Sequence, residues 1–103
     1  MPTDYLQELR PFLNEQMQLS ALPAKYKKQL VAFHYLATRI PEETQFSETE
    51  INNLLNNLTT FGDPATLRRE LVEKQLLYRT KDCRVYQKAD SIPPLSEFLA
   101  KYV

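Results

Sequence analysis

One glycine, one cysteine, one histidine and no tryptophan leave this 103-residue chain few of the residue types on which common chemistries rest. A single glycine, Gly62, excludes the dinucleotide fingerprint and the P-loop, because both need several glycines to bring backbone close to phosphate. A single cysteine, Cys83, excludes an internal disulfide, and one Cys with one His cannot supply the four ligands of a Cys/His zinc site. No apolar run approaches the ~20 residues of a membrane span. Asp4 and Glu8 stand where a signal peptide would be basic and then apolar. The expected location is therefore the cytoplasm, with no membrane partner. No carboxylate pair, Ser/His/Asp arrangement or metal-ligand spacing marks a catalytic centre, so neither an enzyme nor a cofactor is expected. Net charge is absent too, with 13 Lys and Arg against 13 Asp and Glu.

What remains is the material of one soluble domain. Hydrophobic residues make up 43% of the chain and charged residues 25%, the balance of a protein with one modest core. The charges fall in blocks. By residue count, 1–24 carries −2, 25–40 carries +4, 41–63 carries −5, 64–88 carries +4 and the remainder −1. A basic block inside a neutral chain is the footprint of a small nucleic-acid contact surface or simply of a solvated face.

The spacing predicts the elements in order. Residues 3–19 place Leu6, Leu9, Leu13 and Met17 at helical period, with a kink or a second helix start at Pro11. Ala24 to Arg39 reads as a long helix with Tyr26, Leu30, Phe33, Leu36, Ala37 and Ile40 on one apolar face. Pro41 stops it, and Glu42 to Phe46 forms a loop ending in a short strand. Ser47 and Glu50 make a capping box. The helix they open runs to Leu58 with Ile51, Leu54, Leu55 and Leu58 inward and Asn52, Asn53, Asn56 and Asn57 outward.

A short turn containing Gly62 leads to Asp63-Pro64, an N-cap followed by proline at the first helical position. The helix from Pro64 to Lys74 and the one before it make a helix-turn-helix layout. A hairpin over residues 77–88 follows, with a turn at Asp82-Cys83 where Asp-Gly would be usual. After Pro93-Pro94, residues 94–103 read as a terminal amphipathic helix. The expected fold is mainly α with a small β-hairpin. It is a winged helix-turn-helix over residues 22–88, flanked by N- and C-terminal helices within one domain of 1–103.

Leu67 and Leu71 fix the buried direction of the helix that begins at Pro64. At 100° per residue, Ala65, Thr66, Arg69 and Glu73 then fall outward. Arg68 lies between the core leucines and Val72, where it is either tied to a carboxylate of the preceding helix or offered to a ligand. Small residues at the helix start permit close approach to a groove. In the hairpin, Lys81 and Arg84 stand near the tip, where cations meet phosphates.

The runs Leu22-Pro23-Ala24-Lys25, Ser47-Glu48-Thr49-Glu50-Ile51-Asn52 and above all Ala65-Thr66-Leu67-Arg68-Arg69-Glu70-Leu71-Val72 through Leu77-Tyr78-Arg79 resemble a bacterial domain-of-unknown-function family over about Leu22 to Lys88. The resemblance implies a winged-helix fold of the kind that often accompanies predicted transcription regulators. That family pattern carries glycine in the wing turn where this chain has Cys83.

Two readings follow. In one, the chain is a transcription regulator that binds double-stranded DNA through Ala65, Thr66, Arg68, Arg69, Lys81 and Arg84. In the other, it is a protein-interaction or dimerisation module on the same scaffold. Under either reading the terminal helices join a homodimer or pack on each other within one chain.

Overall fold

A long helix needs enough cover for its apolar side chains, and here the cover is nearly complete. In a computed structural model that describes residues 9–82 and 84–102, helix α1 (Tyr26–Thr38) buries every residue from Leu30 to Ala37. The one-sided apolar face expected from spacing is thus replaced by a central helix buried all round. Tyr26, expected on that face, is instead 51% exposed, because it stands in the first turn ahead of the covered stretch. The remaining elements add their buried side chains to the same core.

Helix α2 (Glu48–Leu58) starts at the capping box the sequence predicts. Glu50 N–H donates to Ser47 Oγ at 3.1 Å, and Ser47 N–H donates to Glu50 Oε1 at 2.8 Å. Ile51 and Leu55 are fully buried, with Leu54 and Leu58 packed partly against the core. The turn that follows includes Gly62 at φ +62°, a left-handed conformation that glycine adopts without steric cost. A Cβ there would meet nothing within 4 Å, so backbone geometry rather than crowding favours glycine. Helix α3 (Pro64–Glu73) then opens with Pro64 in the first turn and Asp63 Oδ1 accepting from Thr66 N–H at 3.4 Å. It packs on α2 more extensively than any other two elements pack.

The end of α3 departs from the sequence pattern. Gln75 adopts φ +62°. Its N–H donates to Val72 O at 3.1 Å, and Leu76 N–H donates to Leu71 O at 2.9 Å. These bonds form a Schellman cap, with glutamine where glycine is usual.

The cap turns the chain into β1 (Leu77–Arg79), which pairs antiparallel with β2 (Tyr86–Lys88), Leu77 opposite Lys88 and Arg79 opposite Tyr86. Phe46 extends the sheet beyond β2, exchanging two 2.8 Å backbone bonds with Tyr86. The short strand expected before α2 is reduced to this single-residue bridge. Three helices and a hairpin edged by Phe46 are compatible with a winged-helix-like arrangement. Helix α4 (Leu95–Tyr102) lays Leu95, Phe98 and Leu99 into the core and packs on α1, so its apolar stripe is covered within the chain.

The expected N-terminal helix is corrected over 13–19. Beyond a 3-10 turn at Arg10–Phe12, the chain bends back, bridging Leu13 to Leu19. The cause is Asn14, whose Oδ1 accepts from Gln16 and Gln18 N–H at 3.0 and 2.9 Å and so competes with helical bonding. Leu19 then joins Leu58 and Thr60 by backbone bonds of 2.9 and 3.0 Å. Residues 3–8, where the expected helix begins, lie outside the described residues, as does Cys83 in the wing turn.

His34 is 4% exposed on α1. Its Nε2 lies 2.7 Å from Pro93 O and its ring 5.3 Å from Phe98. A neutral imidazole donates that bond, and burial holds its pKa below the ordinary value, with Lys88 lowering it further and the Pro93 carbonyl opposing.

Two outcomes are expected. The unfolded imidazole, with its pKa near 6.5, takes up a proton before the folded one does. The His34 contribution is therefore complete above about pH 6.5 and falls as pH drops through the lower folded-state pKa. Urea melts across this range should show that loss in wild type and a flatter profile in His34→Gln. For Gln75→Gly, relief of a left-handed residue should exceed the added chain entropy and raise stability by about 0.5–1 kcal/mol. A drop in the urea midpoint would contradict a strained cap.

Candidate nucleic-acid interface

The basic block at 64–88 separates in three dimensions into paired and unpaired cations. Arg68 is paired. Its Nη2 lies 3.1 Å from Glu48 Oε1, its Nη1 donates to Asn52 Oδ1, and its guanidinium sits 5.7 Å from the Tyr86 ring centre. One side chain thus joins α2, α3 and β2. Of the two alternatives for Arg68, the structure has the tie to a carboxylate of the preceding helix, and this removes it from the set of residues free to meet DNA. Asn52 is corrected with it, from a solvated position to a half-buried acceptor.

Lys74 is paired too, donating to Glu70 one turn earlier at 3.1 Å, with its Nζ 5.7 Å from the Tyr102 ring centre. Lys88 lies largely buried, 3.8 Å from Glu42. The acidic block at 41–63 therefore neutralises part of the basic block that follows it. That leaves Arg69, Arg79 and Lys81 exposed and without an ion pair among the described residues. Arg84 reaches Asp82 only at 3.9 Å, with its side chain 84% exposed. Contact of that kind in water contributes little.

Asp82 serves the turn more than it serves Arg84. Thr80 Oγ1 donates to its Oδ1 at 2.6 Å and Arg84 N–H at 3.1 Å. These two bonds, the Thr80 bond first, hold its carboxyl below the usual range. Val85 N–H in turn donates to Thr80 Oγ1 at 3.2 Å, and Thr80 N–H donates to Val85 O at 3.1 Å. The hairpin end that carries Lys81 and Arg84 is thereby held in place.

On α3, Ala65 and Arg69 are exposed and Thr66 half-buried, with Leu67 and Leu71 fully buried behind them. Glu73 is exposed one turn beyond Arg69. Arg79, absent from the residues singled out by sequence, belongs to the free set. It ends a three-residue strand in which Leu77 is buried and Tyr78 and Arg79 are exposed. Tyr78, on the other side, is 61% exposed beside clefts lined by Val72, Leu77, Gln87 and Ala89.

Fold and site together define a small, mainly helical domain in which a helix-turn-helix pair and a two-stranded hairpin carry unpaired cations. Residues 18–88 match the model of a family described as an uncharacterized protein conserved in bacteria (DUF2087), and the chain belongs to that family. No curated protein and no solved structure matches it. No helix among the described residues is long and apolar enough to cross a membrane.

The two adjacent arginines should separate in a stability assay. Arg68→Ala removes an ion pair, a hydrogen bond and a ring contact, and should cost about 1–3 kcal/mol in urea unfolding. Arg69→Ala, on an exposed face, should stay within about 0.5 kcal/mol of wild type. Equal losses would contradict this division.

Proposed function

We propose that the protein binds double-stranded DNA and regulates transcription, with α3 in the major groove and the hairpin on the adjoining backbone. The observation that carries the reading is the contrast within Arg68-Arg69. One guanidinium is neutralised by α2 while its neighbour is left exposed, next to the small Ala65, on the second helix of a helix-turn-helix pair. An unpaired arginine beside small residues suits a helix that approaches base edges. Arg79, Lys81 and Arg84 suit phosphate contacts, which fix position without reading sequence.

A second reading, a protein-interaction module, is favoured by the exposed Tyr78 beside its apolar cleft and by Glu73 on the outer face of α3. Fold alone does not choose between the two.

Fluorescence anisotropy with labelled duplex DNA over a range of salt decides. Three or four phosphate contacts give a slope of log affinity on log salt of about −3 to −4, and Lys81→Ala should make it shallower by about one contact. Absence of duplex binding even at low salt would refute the DNA reading and favour the Tyr78 surface.

A further inference from the structure

Ala65, Thr66, Arg68, Arg69 and Glu73 lie off the buried leucine face of α3, and their chemistry is unequal. Arg68 is held by Glu48, Asn52 and Tyr86. Thr66 is half-buried and its N–H already serves Asp63. Glu73 is anionic and repels phosphate. Arg69 and Ala65 are exposed and uncommitted.

A guanidinium presents a rigid fork of donors that matches guanine O6 and N7 in the major groove, and no other base pair offers two acceptors in that arrangement. A methyl side chain on an approaching helix finds its complement in the thymine C5-methyl. The two positions are one turn apart, about 6 Å along the axis, or up to about two base-pair steps of 3.4 Å.

We propose that α3 reads a guanine through Arg69 and, one or two base pairs away, a thymine methyl through Ala65. This specificity rests on the DNA-binding reading above and goes beyond it, since a protein held only by hairpin cations would take any duplex. The hairpin supplies affinity common to all sequences, and Arg69 supplies discrimination. Glu73 marks where close contact ends, since a carboxylate there accepts from cytosine N4 at best and repels the backbone otherwise.

The test is selection from duplexes with a randomised centre by wild type, Arg69→Ala and Lys81→Ala, followed by anisotropy on the selected duplex with its guanine replaced by 7-deazaguanine, which lacks the N7 acceptor. Wild type should enrich guanine flanked within two positions by thymine, and the 7-deaza duplex should bind it several-fold more weakly. Arg69→Ala should lose the guanine preference and about tenfold in affinity for the selected duplex while keeping salt-sensitive binding to other duplexes. Lys81→Ala should weaken all duplexes alike and keep the preference. Binding with no enriched guanine, indifference of wild type to 7-deazaguanine, or an Arg69→Ala variant with the wild-type preference would each overturn this assignment while leaving DNA binding standing. A wild-type protein that retains no duplex would overturn both.

Discussion

Burial of the middle of α1 on every side is the constraint that places the other elements. Eight consecutive residues from Leu30 to Ala37 are withdrawn from water, including a histidine. An amphipathic helix of this length would be satisfied by one neighbour, whereas this one requires cover all round. Helices α3 and α4 both pack on it, with α2 and the hairpin joined to the same core. The polar cost of the arrangement falls on His34, whose bond to Pro93 O ties the segment before α4 to the central helix.

Within that frame, electrostatics sorts cations by what stands nearby rather than by position in the chain. Glu48 belongs to the first turn of α2, where a carboxylate is favoured by the helix dipole, and from there it meets Arg68 of α3. Glu42, before α2, meets Lys88 of β2. The strongly acidic segment thus has a structural use, which is to neutralise the cations that face the body of the protein. Those facing away are left over, and the leftover set gives the surface its character. A zero net charge is therefore compatible with a local cationic surface.

The legible parts of the chain were those satisfied by their own neighbours. The Ser47–Glu50 box, the Asp63-Pro64 start and Gly62 each meet a backbone need within a few residues, so residue type announces geometry. The outward direction of Ala65 and Arg69 was legible for the same reason, since Leu67 and Leu71 fix the helix face. Parts decided by distant or competing partners were not. Leu13 and Met17 keep helical spacing, yet the Asn14 side chain takes the N–H groups a helix would use, and Leu19 is claimed by the end of α2. Gln75 enters a left-handed turn that its side chain does not advertise, and its Oε1 accepts from Lys101 at 2.9 Å. Asn52 shares its residue type with three exposed companions, and only the distant Arg68 sets it apart.

The single-residue bridge at Phe46 has a topological consequence. With Phe46 on one side of β2, the other side is taken by β1, and β1 is left with an outer edge that no other strand among the described residues covers. Such edges invite another chain to add a strand. Here the edge is only three residues long and finishes at Arg79, with Lys81 just beyond, both exposed. A stacked copy would bring like charges together over too few hydrogen bonds to offset them. The brevity that makes the hairpin a weak sheet is therefore also its protection against edge-to-edge aggregation.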